Sequence, residues 1–363
     1  MSDDFYERRR HGGGSSVTLA PLHVEGRHFK TSDGLIYKGF HVSAFRSLEL
    51  YLNGKFSELA VWHDWLHSLG ITGQRVFAHH NPGHDKFDPR DYDHYYERLG
   101  DYFGWIAGEG FRVHFTALLG AVPGFDPFLT FNEQQWHLDK CAALIKGTPH
   151  LLEFVNEGED NNEADYVFKL EPFKGVLNCR TRYWYFTPEE AAAQLDWTTL
   201  HPERKDPDNV VRQMRGLNEL TMQSGKPIIA GEPEQIERMR ADQQAPYTAL
   251  ALMFGEAMTL HGAWESLQQC RMPTGEALAG CQDAAIIVKS GIIPPECSDW
   301  DYSRDEASAL KYPGPHVVQH HYQMSNGSTA IVGITEPHQA YPHEAVSGWR
   351  IVEDLGCVVQ LQR

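Results

Sequence analysis

The sequence predicts an α/β protein, a (β/α)8 TIM barrel followed by a small C-terminal antiparallel β appendage. Three observations support this fold class. Short apolar runs alternate with segments whose apolar residues repeat at helical spacing, which is typical of a parallel sheet covered on both faces. Two of these runs end in the carboxylates Glu157 and Glu232, 75 positions apart, which leaves room for three β/α units. Alternating segments around a turn signal at Asn326 and Gly327 fill the C-terminal region.

The length and composition indicate one barrel with additions at both ends. We place a flexible tail at residues 1–16, the barrel at 17–308 and the β appendage at 309–363. The tail is charged and rich in glycine, without the apolar region of a signal peptide, and no run reaches the ~18 apolar residues of a membrane span. These features favour a cytoplasmic location or a place in a larger assembly, while the oligomeric state stays open.

The net charge indicates which partners the chain can bind, and the cysteine spacing indicates whether it holds a metal or disulfides. A formal net charge of −17 argues against nucleic acid, which is bound by clustered Lys and Arg, whereas a neutral glycan is compatible with it. The six cysteines lack metal-ligand spacing and are predicted to be mostly free or buried thiols, with Cys270 and Cys281 able to pair only in an oxidising compartment.

The first half of the barrel can be followed element by element. The runs at 24–29 and 35–37, around Ser32 to Gly34, predict a hairpin beneath the barrel. Strands are predicted at 37–44, 74–78 and 113–119, and helices at 92–107 and 132–146. The helix after the first strand ends at Gly70 and buries the stripe Leu59, Trp62, Leu66 and Leu69.

The second half is less regular. Residues 151–156 form the fourth strand, which leads to Glu157, and the fifth unit between 159 and 182 is predicted to carry an insertion. The later strands are predicted at 197–201, 226–232 and 258–262, and the later helices at 247–255 and 276–288, with a sixth helix around Val210, Met214, Leu217 and Leu220. The appendage contains alternating strands at 317–320, 330–332 and 358–361.

The motifs at the two strand tips carry a resemblance to a known family. Asn156, Glu157 and Glu232 resemble the catalytic motifs of clan A glycoside hydrolases, (β/α)8 enzymes related to family five cellulases and mannanases, over roughly residues 25–290. The resemblance implies retaining hydrolysis of a β-linked glycan, with Glu157 as acid/base, Glu232 as nucleophile and Asn156 holding the sugar 2-hydroxyl. Arg75 resembles the arginine that these enzymes place beneath the nucleophile.

Further residues are candidates for substrate binding by the same resemblance. His201 and Trp264 resemble residues that line the first sugar subsite, and His41 is a third candidate; the alternative interpretations are a capping histidine and a core indole. The chain lacks the tyrosine often found near strand six in the family, where Thr199 and His201 stand instead.

The assignment of the two carboxylates has rivals in the sequence. Glu234 lies two residues past Glu232 and competes with it as nucleophile. Strand alternation puts Glu153 on the same side as Glu157 but deeper in the barrel, where a carboxylate would reach substrate poorly.

Two other functions remain open at this point. One is an inactive carbohydrate-binding or structural barrel in a larger assembly. The other is a metal-dependent hydrolase that uses the loop with His79, His80, His84 and Asp85. The chain has neither an HExxH helix nor a His-x-His on strand one, so we predict no metal and no cofactor. The predicted partner is an oligo- or polysaccharide substrate, with no nucleic acid and no membrane.

Overall fold

The computed structural model shows the (β/α)8 fold that the sequence predicts, within the part of the chain that it describes. It describes residues 19–79, 87–119, 131–156, 176–179, 181–182, 196–200, 225–232, 235–293, 311–314, 317–323, 329–335, 350–354 and 358–362. No helix within these ranges is long and apolar enough to cross a lipid bilayer.

A hairpin comes first, formed by β1 (Leu22–Glu25) and β2 (His28–Thr31). The prediction of one strand over 24–29 was wrong, because Gly26 adopts a φ of 59° there and turns the chain. The predicted turn at Ser32 to Gly34 is present, but a single bridge between Lys30 and Ile36 follows it.

The barrel strands form one parallel sheet. They are β3 (Gly39–Ser43), β4 (Gly73–Phe77), β5 (Arg112–Leu118), β6 (Leu151–Val155), β7 (Asn178–Cys179), β8 (Thr181–Arg182), β9 (Thr198–Leu200), β10 (Ile228–Ala230) and β11 (Ala257–Leu260). The order in the sheet is β7-β6-β5-β4-β3-β11-β10-β9-β8. Its two end strands, β7 and β8, are separated along the chain by residue 180 alone, so they share the fifth strand position and the sheet closes into a ring.

Helices lie outside this sheet. They are α1 (Ser47–Leu52), α2 (Phe56–Leu69), α3 (Tyr95–Gly108), α4 (Phe131–Ile145), α5 (Ala241–Phe254) and α6 (Gly275–Ser290). Helix α2 buries all four residues of its predicted stripe and ends at Gly70, whose φ of 79° is left-handed. Helix α5 begins six residues before the predicted start. The prediction missed this first part because three of residues 241–246 are polar and Pro246 is a helix breaker. The first turns of α5 pack closely against α6. A Cβ at Gly280 of α6 would lie only 2.9 Å from Gln244 Cγ of α5, so the glycine permits this approach.

The apolar core has two layers. The larger one lies between the strands and the helices. The smaller one lies inside the barrel at the amino ends of the strands, where Phe29 of the hairpin meets Trp197 edge to face at 5.9 Å between ring centroids. The hairpin therefore closes this end of the barrel and leaves the carboxyl ends of the strands to form the other end.

The C-terminal appendage is a five-stranded antiparallel sheet. Its strands are β12 (Lys311–Gly314), β13 (Val317–Gln323), β14 (Thr329–Thr335), β15 (Arg350–Asp354) and β16 (Val358–Gln362), in the order β12-β13-β14-β16-β15. Three of them were predicted from sequence, while β12 and β15 were not. The hairpin of β13 and β14 is confirmed, and its Asn326 and Gly327 lie outside the described residues. Strands β14 and β16 lie against α5. The boundary at 308/309 stays a prediction, and the tail at 1–16 lies outside the described residues.

Four of the six cysteines lie in the described ranges, and all four are free thiols: Cys141, Cys179, Cys270 and Cys281. The pairing considered for Cys270 and Cys281 is therefore not formed. Burial raises the pKa of Cys281 to about 12, which keeps that thiol protonated and unreactive at neutral pH. Cys297 and Cys357 lie outside the described residues.

Buried histidines should make the fold sensitive to acid. Burial lowers the pKa of His41 to about 3 and that of His137 and His150 to about 4, from an ordinary value of 6.5. Between these values the unfolded chain binds protons that the folded chain excludes, so stability is retained above pH 6.5 and falls as the pH drops toward 4. Urea unfolding at pH 7.0, 5.5 and 4.5 measures this loss. His137→Gln should reduce the dependence of the unfolding free energy on pH. An unchanged urea midpoint across the three pH values would contradict the expectation.

Candidate active site

Arg75 is the centre of a polar cluster at the carboxyl ends of the barrel strands. It lies on β4, where side chains alternate between the barrel interior and the helices. Val76 packs among the residues beneath the helices, whereas Arg75 is fully buried on the inward face. A buried guanidinium requires paired charges and hydrogen bonds, and three residues on or just past two other strands supply them.

Glu153 of β6 is the deepest partner of Arg75. Its Oε2 accepts from Arg75 Nε at 3.1 Å and from Nη2 at 2.8 Å. The same oxygen lies 2.8 Å from His114 Nε2 and accepts from Thr116 Oγ1 at 2.5 Å. Glu153 is fully buried, so this carboxylate holds the arginine in place and does not reach the mouth of the barrel.

Glu232 and Asn156 are bound by the outer edge of the same guanidinium. Arg75 Nη1 donates to Glu232 Oε1, and Nη2 donates to Asn156 Oδ1 at 2.8 Å. The Glu232 side chain is 16% exposed, in contrast to 0% for Glu153. The Arg75 guanidinium therefore holds the Glu232 carboxylate, just past β10, beside the Asn156 amide, just past β6. The Glu232 carboxylate is accessible from solvent.

The electrostatics keep this arginine charged. Burial alone would lower the pKa of Arg75, but the carboxylates of Glu153 and Glu232 raise it above its ordinary value. Two carboxylates face one guanidinium. Its N–H donors orient both carboxylates, and its positive charge favours their ionised forms. Phe45 and Phe77, stacked at 4.0 Å, lie beside the guanidinium, whose Cζ is 4.9 Å from the Phe77 centroid.

Ser43 and His261 form a second polar contact beside this cluster. Ser43 is paired in register with Arg75, and its Oγ lies 2.8 Å from His261 Nδ1, at the end of β11. His261 also lies near Phe45, with 6.0 Å between ring centroids. Sequence reasoning missed Ser43, His261 and the two phenylalanines. The available signal was their position, since each stands at or just past the predicted tip of a barrel strand.

His41 was predicted to bind substrate, but the structure places it one inward position deeper than Ser43. Its ring is fully buried, and its Nε2 lies 2.8 Å from the Tyr37 hydroxyl. A Cβ at Gly39 or at Gly73 would come within 2.6 Å of this ring, so the two glycines make room for it. His41 therefore fills the interior beneath the site, and we leave it out of the proposed substrate contacts.

Trp264 lies in the turn that follows β11 and is partly exposed. Glu237, from the loop after β10, stabilises this turn by two hydrogen bonds. Its Oε2 accepts from the Ala263 N–H at 2.7 Å, and its Oε1 accepts from the Ser266 hydroxyl. The Ile236 N–H also donates to the His261 carbonyl at 2.9 Å. The loops that carry Glu232 and Trp264 are thus tied together.

Three of the predicted site residues lie outside the described residues: Glu157, His201 and Glu234. Glu157 directly follows Asn156 in the chain. Of the histidine-rich loop, His79 is described, and its Nε2 accepts from the Leu119 N–H at 3.1 Å. Across the described ranges, no three His, Cys, Asp or Glu residues are grouped to hold a metal ion.

Comparisons with known proteins place the fold. No protein-family model matches the chain, and no curated protein matches it in sequence. A solved structure described as a glycoside hydrolase matches with a TM-score of 0.61 at 13% identity, over 95% of this chain and 94% of that chain. A family 5 glycoside hydrolase from Bacteroides vulgatus matches with a TM-score of 0.59 at 11% identity, over 88% and 82%. A β-glucanase from Saccharophagus degradans matches with a TM-score of 0.53 at 12% identity, over 75% and 94%. These similarities confirm the predicted resemblance in fold to family five barrels.

Proposed function

We propose that this chain is a retaining glycoside hydrolase that cleaves a β-linked glycan by double displacement, with Glu232 as nucleophile and Glu157 as acid/base. The observation that carries the proposal is the shared binding of Glu232 and Asn156 by Arg75. The contact brings the tips of β6 and β10 together at the carboxyl end of the barrel. Glu157 is the next residue after Asn156, so we expect its carboxylate to share the barrel mouth with that of Glu232.

The mechanism needs two carboxylates with different tasks. Glu232 attacks the anomeric carbon and forms a covalent glycosyl ester while Glu157 protonates the departing glycosidic oxygen. Glu157 then removes a proton from a water molecule, which displaces Glu232 and releases the sugar with its original configuration. This route requires the two carboxyl groups to stand about 5–5.5 Å apart.

Arg75 supports the assignment of Glu232 as nucleophile. A nucleophile must be ionised, and the charge of Arg75 favours the carboxylate form. Glu153 meets the same charge but is closed off from solvent, so it cannot attack a sugar. Because Asn156 Oδ1 accepts from Arg75, its Nδ2 group is the one available to donate to the sugar 2-hydroxyl.

The test is the release of nitrophenol from a panel of aryl β-glycosides, beginning with the β-glucoside and the β-mannoside, by the intact chain and by Glu232→Ala. Turnover that disappears in the variant supports the proposal. Absence of turnover by the intact chain on every substrate would favour the inactive carbohydrate-binding barrel instead. Loss of turnover on addition of a chelator would favour a metal-dependent hydrolase.

Glu237 should act as a positioning residue for Trp264, whose ring suits the apolar face of a sugar. In Glu237→Ala the turn loses the two hydrogen bonds that Glu237 accepts from it. We expect KM to rise roughly three- to tenfold, since each such hydrogen bond contributes about 1 kcal/mol. The value of kcat should change little, because the carboxylates stay in place.

The matched control is Glu265→Ala, which removes an exposed carboxylate from the same turn. Its KM should equal that of the unchanged chain. An equal rise of KM in both variants, or a fall of kcat in Glu237→Ala with KM unchanged, would contradict the positioning role.

A further inference from the structure

A cavity of 330 Å³ lies between the start of α3 and the second turn of α4. Its walls include the rings of Tyr92, Tyr95, Tyr96 and Trp136, and its rim includes Arg90 and Glu97. This volume is at the lower end of the ~300–1,000 Å³ of small-ligand pockets. None of these residues takes part in the cluster around Arg75.

The aromatic walls are held by hydrogen bonds to the barrel. The Tyr95 hydroxyl donates to the Ala78 carbonyl at 3.0 Å, just past the end of β4. The Tyr96 hydroxyl lies 2.8 Å from His137 Nδ1, and His137 Nε2 lies 3.1 Å from the Ala117 carbonyl of β5. Burial lowers the pKa of His137 to about 4, so at neutral pH one ring nitrogen donates and the other accepts. These hydrogen bonds orient the Tyr95 and Tyr96 walls, and the cavity lies toward the same end of the barrel as the candidate active site.

Trp136 is the most unusual of these residues, because its ring contacts two neighbouring side chains and yet the residue is 52% exposed. Its ring meets Tyr96 edge to face at 5.0 Å, and Lys140 Nζ lies 5.8 Å from the ring centroid. A scattered surface leucine needs no explanation, but an exposed indole at the edge of an aromatic-lined cavity is typical of a binding surface.

The rim indicates a neutral ligand. Arg90 is paired with Asp88 at 2.6 Å, so its charge is offset by a carboxylate, and the Glu97 carboxylate lies 3.3 Å from the His94 ring. Aromatic rings offer flat apolar surface to the C–H face of a pyranose, while charged and hydroxyl groups around them bind its hydroxyls. We infer that this cavity binds a short segment of a neutral glycan chain, as a binding site separate from the catalytic mouth. The inference goes beyond the proposed function, since it requires binding and not cleavage.

Affinity electrophoresis through gels that contain mixed-linkage β-glucan or glucomannan tests the site. The Glu232→Gln variant serves as the background, so that the polymer is not cut. Adding Trp136→Ala should weaken retention by at least one of the two polymers roughly three- to tenfold, because the aromatic platform is lost. Trp136→Phe keeps a ring and should keep most of the retention. Ile286→Ala is the matched control, since Ile286 is also 52% exposed and lies on α6, away from the cavity.

This design distinguishes a failure of the binding inference from a failure of the proposed catalytic function. On an aryl β-glycoside, Trp136→Ala in the otherwise unchanged chain should turn over at the normal rate, and a chain without any activity can still be retained by the gel. Equal retention of Trp136→Ala and its parent, or absence of retention of the parent in both gels, would overturn the inference. A large fall in melting temperature of Trp136→Ala without a change in retention would show that the indole serves packing, which also overturns it.

Discussion

Glu232→Ala is expected to lose turnover of all aryl β-glycosides to a similar degree, whereas Glu157→Ala should lose it selectively. Without Glu232 no covalent intermediate forms, so the quality of the leaving group does not matter. Without Glu157 the departing oxygen is not protonated, which costs about 10²–10⁴-fold for a poor leaving group and much less for a nitrophenolate. Comparing nitrophenyl, phenyl and oligosaccharide substrates measures the difference between the two variants.

Azide distinguishes the two roles by the configuration of its product. In Glu157→Ala, azide should attack the glycosyl-enzyme from the face that the leaving group vacated and give a β-azide. In Glu232→Ala it should occupy the place of the missing carboxylate and give an α-azide. The anomeric coupling constant of the isolated glycosyl azide identifies each product by NMR.

Glu234 supplies the internal control, because it stands two residues past Glu232 and shares its charge. Glu234→Ala should keep most of the activity. Near-normal turnover by Glu232→Ala together with an inactive Glu234→Ala would move the nucleophile to Glu234. Full activity in both variants would end the retaining-glycosidase proposal.

Much of the barrel was predictable because buried strands and amphipathic helices leave local patterns in the sequence. The stripe from Leu59 to Leu69 repeats at helical spacing, and all four of its residues are buried. The run at 151–155 is uniformly buried, as expected for a strand covered on both faces. The fifth position was not predictable, because β7 and β8 have two residues each and so carry no periodicity.

Residues of the candidate site were predictable only where a charged or amide side chain stands on or just past a predicted strand. Arg75, Asn156 and Glu232 could be selected in this way, and they do meet. The contact between Ser43 and His261 could not, because the two are 218 positions apart and meet through ring closure between β3 and β11. His41 failed for a related reason: the distance of a residue from the mouth depends on strand stagger, which a single sequence does not reveal.

Arg75→Met should have the largest effect on the fold as well as on activity. It leaves Glu153 fully buried without its cation, and breaking such a pair costs about 3–5 kcal/mol of unfolding free energy. The thermal or urea midpoint should fall accordingly, and turnover should disappear because Glu232 loses the donor that orients it. Lys55→Met is the control, since the Lys55 and Glu58 side chains of its ion pair are 55% and 61% exposed, and it should hardly change the midpoint.

A second substitution separates the two effects of Arg75. In Arg75→Met with Glu153→Gln, the buried carboxylate is neutral, so part of the lost stability should return. Activity should not return, because Glu232 still lacks the hydrogen bond from Arg75. A single Arg75→Met variant as stable as the unchanged chain would show that His114 and Thr116 satisfy Glu153 by themselves. Recovered turnover in the double variant would show that Arg75 serves the fold alone, and the orientation of Glu232 would then have to come from other groups at the mouth.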